Sequence, residues 1–429
     1  MEILTRRELL PGVSLCCVQT DRFRTGTFSA GFLCPLERTD AAKNALLMNV
    51  LARGCRAYPD MFRLRAACQE AWGAAPTPEL RQYGEVISLG FGVSFPDDPW
   101  LPEEGRELER VIRLVGDLCL DPDTRGGLLR SDYVQSERRN LRERIRAAVN
   151  DKGSYSLLRA RSVMCADEDY GAFPLGREED TEKISHLILT RHYQKVLASA
   201  PLRLFYCGSA PFERVKDAVL DSFQTLPGVS ERRMPETEIR DSAAVLRSET
   251  EYTDVAQGKL VLGCRLGGRI APQEQPVLDV FNRYFGASHT SRLFREVREK
   301  RSLCYSISSG YDAHKAVYHV RAGIAFHKLD EVMETVLMEL DRCRGGEVDL
   351  QGLDAARRAA ASAYLMTEDS GAALDAFYQS QELLESTAQP RELAALAMEV
   401  GPEEVCRMAQ RVQPELAYFL RGPEQEGEA

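Results

Sequence analysis

Residues 259–286 read KLVLGCRLGGRIAPQEQPVLDVFNRYFG, and residues 28–54 read FSAGFLCPLERTDAAKNALLMNVLARG. Each is an alternating apolar segment, then a polar loop, then a run with apolar positions at helical spacing that a glycine closes. In the later copy the strand is Leu260 to Cys264, and the helix carries Val277, Leu278, Phe281 and Phe285 before Gly286. In the earlier one the loop holds Thr39 and Asp40, and the helix carries Ala45, Leu46, Leu47, Val50 and Leu51 before Gly54. A period of two giving way to one near 3.6 predicts a strand followed by a helix. The register persists: Gly54 corresponds to Gly286 and Phe62 to Phe294, both 232 positions apart, and Gly92 to Gly323 at 231. A spacing held this closely marks an internal repeat.

Both copies also contain period-2 runs, Val86 to Val93 and Val317 to Ile324, beside long helical patterns. The expected fold is α/β (α+β), two tandem homologous domains that each form a mostly antiparallel sheet flanked by helices. The first domain is expected over 1–224 and the second over 251–420, joined by a linker at 225–250. Within that linker, Thr225 to Asp241 combines Pro227-Gly228, Pro235 and seven charged residues without an apolar period. The last stretch, 421–429, holds Pro423 and three glutamates and reads as a disordered tail.

A chain of 429 residues with 44% hydrophobic and 28% charged residues builds large packed cores and is not globally disordered. Its net charge of −10 disfavours a nucleic-acid partner held by phosphate neutralisation, so a basic peptide is the more natural guest. No apolar run reaches the roughly 18 to 20 residues of a membrane-spanning helix. Arg6 and Arg7 near the start are not followed by a secretion signal's apolar stretch, and a cytoplasmic location without membrane attachment is expected. The twelve cysteines show no C-x-x-C spacing, and in a reducing compartment they are expected to fill the core as small apolar side chains.

Gly286-Ala-Ser-His-Thr-Ser-Arg-Leu-Phe294 followed by Arg298-Glu-Lys-Arg-Ser-Leu-Cys-Tyr305 resembles a signature of the M16 peptidases, the insulinase and mitochondrial-processing-peptidase family. Tandem paired domains are also that family's architecture. The resemblance implies a zinc motif, H-x-x-E-H, on the first helix of the first domain and a glutamate ligand on a later helix. Here the matching positions are Ala45-Leu-Leu-Met48-Asn49. Ala45 and Asn49 stand in the histidine slots, and Met48 stands in the slot of the general base. On the later helix Glu137 matches an accessory glutamate and Arg144 falls in the ligand slot, or Glu143 after a slip of one residue. Zinc needs imidazole, thiolate or carboxylate donors, and a guanidinium offers no lone pair. All six histidines lie at or after His186 and none forms the motif in either direction, so no metal site is expected in this chain and zinc is expected in a partner.

The resemblance further implies that an arginine and a tyrosine seven positions later, Arg298 and Tyr305, bind substrate carbonyls and polarise the scissile carbonyl, in a complex only. Donors aimed at developing charge account for much of transition-state stabilisation. Taken without the resemblance, Arg298 lies in a charged run with Arg295, Glu296, Glu299 and Lys300 that reads as a solvated face, and Tyr305 reads as a core residue. His314, His319 and His327 have no metal spacing, and Cys16-Cys17 reads as a buried strand pair. The helix expected from Asp132 to Asn150 carries Leu141, Ile145 and Val149 on one face and Arg138, Arg139, Arg142 and Arg144 elsewhere, solvated or lining a partner surface.

Three readings follow. The first is the non-zinc-binding subunit of a heterodimeric M16-type peptidase, supplying half a chamber to a zinc-bearing M16 homologue that acts on a peptide or protein. The runs Asn150 to Ser156, Asp167 to Tyr170 and Pro174 to Gly176 particularly resemble zinc-less Firmicutes members associated with 5-aminopentanol modification of elongation factor P. The others are a non-catalytic scaffold and a peptide-binding module that uses a sheet edge. The isolated chain is expected to bind no stoichiometric zinc. Metal analysis of protein prepared without chelators checks this, and a zinc lost on mutating His314 or His319 would overturn the alignment.

Overall fold

The computed structural model describes residues 3–102, 105–228 and 231–423. It resolves into two compact units, and neither is a continuous stretch of chain. Unit one comprises 1–147, 172–236 and 369–380, and unit two comprises 148–171, 237–368 and 381–429.

The sheet of unit one is built from β1 (Ile3–Leu10), β2 (Val13–Gln19), β3 (Thr25–Pro35), β4 (Thr77–Tyr83), β5 (Val86–Pro96) and, after the short hairpin β6 (Thr124–Arg125) and β7 (Leu128–Leu129), β8 (Leu202–Gly208). Its order is β1-β2-β8-β3-β5-β4. Unit two contains β9 (Arg247–Tyr252), β10 (Gly258–Arg265), β11 (Cys304–Asp312), β12 (Val317–Ile324) and β13 (Gln413–Arg421), in the order β11-β12-β10-β13-β9. Read from the opposite edge, this is the order of unit one without β1. Each sheet is antiparallel except for one parallel pair at the equivalent place, β2 with β8 and β13 with β9, plus the antiparallel β1. The repeat seen in the sequence is therefore a repeat of topology.

Period-2 patterning explains the layers. One face of β3 sends Phe28, Ala30 and Phe32 into the large apolar core of unit one. Its other face carries Thr27, Ser29 and Gly31, and the helix Gly371–Leu383 lies against it through residues 371–380. In β10, Leu260, Leu262 and Cys264 are buried on one face, while Val261 on the other joins Ala160 and Met164 of the helix Lys152–Met164. These two helices are what the repeats exchange: 152–164 follows the first sheet's helices in sequence and packs in unit two, and 371–380 does the reverse. The glycine at equivalent places in β3 and β10 makes room for each. A Cβ on Gly263 would meet Met164 Sδ at 2.7 Å, and one on Gly31 would meet Ser88 Oγ at 2.3 Å and Gln379 Nε2 at 3.5 Å.

Buried charge fixes both exchanged segments. Glu168 is fully buried and accepts from both ends of the Arg265 guanidinium at 2.6 and 3.1 Å, with Lys315 Nζ at 2.7 Å. Arg265 also donates to Glu415 at 2.7 Å. In unit one Asp375 accepts from Arg81 at 2.8 Å, and Tyr83 donates to Gln379 at 2.8 Å. The two carboxyls respond differently. Burial would raise Glu168, but hydrogen bonds from two cations outweigh it and hold the carboxyl below its ordinary value. Asp375 shares its one arginine with Glu79, and burial wins, leaving it above.

The expected boundaries need correction. A cut at 224, a linker over 225–250 and a second domain over 251–420 ignore the exchange, which sequence-local signals do not encode. Among the described residues the stretch before β9 has no helix or strand, but it is pinned down. Arg232 is buried and donates to the carbonyls of Ala200 and Pro227, Arg240 reaches Glu168 at 3.2 Å, and β9 starts at Arg247 inside the expected linker. Arg421 ends β13 rather than opening a tail, and 424–429 lie outside the described residues. Of the cysteines, all but Cys16 and Cys406 are buried, and all are free thiols. The helix expected at Asp132–Asn150 is Ser131–Ala147 followed by a short 3-10 turn to Asn150.

Glu168→Gln leaves two buried cations short of their counter-charge, so it should destabilise unit two by about 3–5 kcal/mol. Because the folded carboxyl lies below its ordinary 4.5, its stabilisation is complete above that pH and is lost as pH falls through the lowered value. Denaturant titrations of both proteins from neutral to acid pH check this: the gap should narrow at the acid end.

Candidate functional site

The sequence places candidate residues in both units. In unit one the helix Ala41–Leu51 is buried nearly all round, as its almost unbroken apolar composition requires. Ala45 and Met48 are core side chains, and Asn49 is half-buried. The helix Ser131–Ala147 packs beside it, and Arg144 Nη1 donates to Asn49 Oδ1 at 3.4 Å. The metal-motif positions do come together in space, and an arginine–asparagine contact stands between them.

Glu137, two turns earlier, is buried and accepts from Arg53 at 3.0 Å and from Asn140 at 3.1 Å, so its carboxylate is committed. Glu143 is exposed and offers a surface carboxylate. Neighbouring arginines are taken up as well. Arg142 and Arg146 pair with Glu178, and Arg138 donates to the Ile184 carbonyl at 3.3 Å. Among the described residues no group of three or more His, Cys, Asp or Glu is placed to hold a metal. The residues present do not fit zinc: apolar Ala45 and Met48 give no donor, and Arg144 adds a positive charge.

In unit two much of the 286–294 signature is structural. Gly286 lies where a Cβ would meet Ser309 Oγ at 2.5 Å. Leu293 is fully buried, and the buried Arg292 pairs with Glu339 and donates to the carbonyl of Glu347. The next segment, Phe294–Lys300, is a π-helical stretch that ends in a tight reversal. Ser302 N donates to the Arg298 carbonyl at 3.1 Å and Leu303 N to the Val297 carbonyl at 2.9 Å, with Ser302 at φ 51°.

That reversal delivers β11 with a bulge at its first residues. Cys304 pairs with Ile324 and Ser306 with Gly323, so Tyr305 is the extra residue between them. Its side chain is 67% exposed, which excludes the core role that its alternating context had suggested. No described residue hydrogen-bonds its hydroxyl. Arg298 is exposed too, with its guanidinium 4.8 Å from the centre of the Phe294 ring and near enough to Cys304 to oppose the rise that burial gives that thiol.

Comparison with known proteins bears on the same residues. Residues 183–360, which include Arg298 and Tyr305, match the peptidase M16 inactive domain. Over that part the chain is similar to the M16 peptidases, in their inactive-domain form. It is similar to YmfF of Bacillus subtilis, described as a probable inactive metalloprotease, with 28% identity over 415 residues and 96% of each chain covered. Among solved structures, a conserved protein from Enterococcus faecalis superposes with a TM-score of 0.88 at 23% identity over 99% of both chains. A peptidase M16 inactive domain from Pseudomonas fluorescens gives 0.79 at 13% identity, covering 99% of this chain and 100% of that one. The likeness to the solved structures establishes the fold alone.

His314 and His319 are half-buried, with pKa values lowered first by desolvation, and His327 is exposed. They belong to no metal-binding group among the described residues. A polar pocket around Asn44 and His192 was not foreseen from the sequence. Its one local signal was Asp40 at the start of the first helix, and His192 and Lys195 come from 148 or more positions away.

Since Arg144 reaches Asn49, one turn after Ala45, Ala45→His, Asn49→His and Arg144→Glu together should create a zinc site in this chain. Metal analysis after zinc loading and desalting should find stoichiometric zinc in the triple variant and none in the parent. Equal zinc in both would show that these positions do not meet as described.

Proposed function

We propose that this chain is the non-zinc-binding subunit of a two-chain M16-type peptidase. It gives a zinc-bearing M16 partner a chamber wall and the donors of Arg298 and Tyr305. The observation that carries the reading is the state of Tyr305: a large aromatic side chain, held out of its strand by a bulge, exposed, and with an uncommitted hydroxyl. A tyrosine kept for stability buries its ring and satisfies its hydroxyl. Here the hydroxyl is available to donate to an oxyanion as it forms on a scissile carbonyl, and the exposed planar fork of Arg298 suits backbone carbonyls. In unit one Arg144 and the apolar side chains leave the metal to the partner. With a net charge of −10, a basic peptide is the favoured substrate class.

A link to modification of elongation factor P rests on the resemblance of 150–156, 167–170 and 174–176. Several residues in those runs have structural duties: Asp151 caps the helix Lys152–Met164, and Glu168 anchors it. They bear on ancestry and name no substrate. A non-catalytic scaffold or peptide-binding protein is the second reading, favoured by the Arg144 contact with Asn49 that occupies the metal position.

Purification from the native host should bring down a second chain of similar size that carries zinc. In that pair, Tyr305→Phe should lower turnover about 100- to 1000-fold, the usual cost of one oxyanion donor, with assembly unchanged by sedimentation. Unchanged turnover would favour the scaffold.

A further inference from the structure

Unit one contains a cavity of 340 Å³ bounded by the end of β3, the start of the helix Ala41–Leu51, the helix His186–Ser199 and residues 231–235. That is within the range of about 300–1,000 Å³ usual for small-ligand sites. None of Ala45, Met48, Asn49 and Arg144 lines it.

Three polar side chains line it while being at least nine-tenths buried: Asp40, Asn44 and His192. Asp40 is neutralised by an ion pair with Lys43 and another with Lys195 at 3.2 Å. His192 Nε2 lies 2.7 Å from Asn44 Oδ1, while its Nδ1 is 3.7 Å from Asp40, beyond a hydrogen bond. Burial holds the imidazole to a pKa of about 4, so at neutral pH it carries one proton, which Asn44 accepts at Nε2. The Asn44 amide nitrogen is left with no acceptor among the described residues. An unmet buried donor typically costs about 1–3 kcal/mol, so a residue held there without use is a net loss to the fold.

The rest of the wall indicates what the missing acceptor is. Arg233 is exposed and puts a cationic donor at the mouth beside the exposed Glu231, and the exposed Lys195 ammonium, which pairs with Asp40 and Glu37, adds another N–H donor. Leu33, Val196 and Met234 give an apolar surface beyond them. We infer that this cavity binds a small aliphatic carboxylate, with the carboxylate accepting from the Asn44 amide and from Lys195 or Arg233 while the hydrocarbon chain covers the apolar wall. Turning the Asn44 amide over would present its carbonyl instead and select an ammonium.

The test titrates hexanoate, hexanamide and hexylamine into the full chain near neutral pH, followed by calorimetry and thermal unfolding. Hexanoate should bind one to a chain and raise the unfolding temperature, and hexanamide should bind more weakly. Lys195→Gln, which leaves Asp40 its pair with Lys43, and Asn44→Ala should each weaken hexanoate about tenfold or more, the worth of a hydrogen bond to a charged group. If Asn44→Ala does not fold, Lys195→Gln paired with Arg233→Gln carries the test. No hexanoate binding, binding indifferent to these variants, or preference for hexylamine overturns the inference.

Discussion

Glu168, buried between Arg265 and Lys315, decides how this chain folds. It sits at the end of a segment that follows the first half's helices in sequence, and its partners Arg265, Lys315 and Arg240 all belong to unit two. A carboxylate taken out of water at that depth is tolerable only where two cations meet it, so the segment has one place to go. Around that anchor the helix Lys152–Met164 settles on β10 and β13, with Tyr155, Arg159 and Tyr418 all converging on Glu251 of β9. Asp375 and Arg81 play the same part for the reciprocal segment in unit one. The exchange gives each sheet a cover on the face that its own half leaves open.

The chemistry follows from a similar substitution of charge. At the positions that the resemblance to the M16 peptidases singles out, the first helix offers Ala45, Met48 and Asn49, and a guanidinium reaches Asn49 from the neighbouring helix. A positive charge stands there, and Ala45 and Met48 are core side chains. In unit two the reversal after Lys300 and the bulge at Tyr305 keep a tyrosine and an arginine at the surface. Holding a ring in water has no structural return, and this contrast between a filled site and an open pair is the basis of the functional reading.

The repeat, the α+β class, and the strands and helices around residues 28–54 and 259–286 were legible because the side-chain period is a local property. That Ala45 and Arg144 offer zinc no lone pair was equally legible, since an alkyl group and a guanidinium are incapable of the role in any fold. The incapacity of Arg144 needs only its identity. Its contact with Asn49, across 95 positions, needs the structure.

What the sequence by itself determined is therefore the list of elements, their duplication and the chemistry forbidden to them. The tertiary structure alone decided which unit each exchanged helix joins, that Tyr305 stands outside the core, and that Asn44 meets His192 in a cavity with one amide hydrogen unmet. The physical reason is range. Glu168 and Arg265 are 97 positions apart, Asn44 and His192 are 148, and Arg81 and Asp375 are 294. No period of two or 3.6 carries information over such distances, whereas the cost of an unpaired buried charge or donor acts wherever the chain brings the groups together.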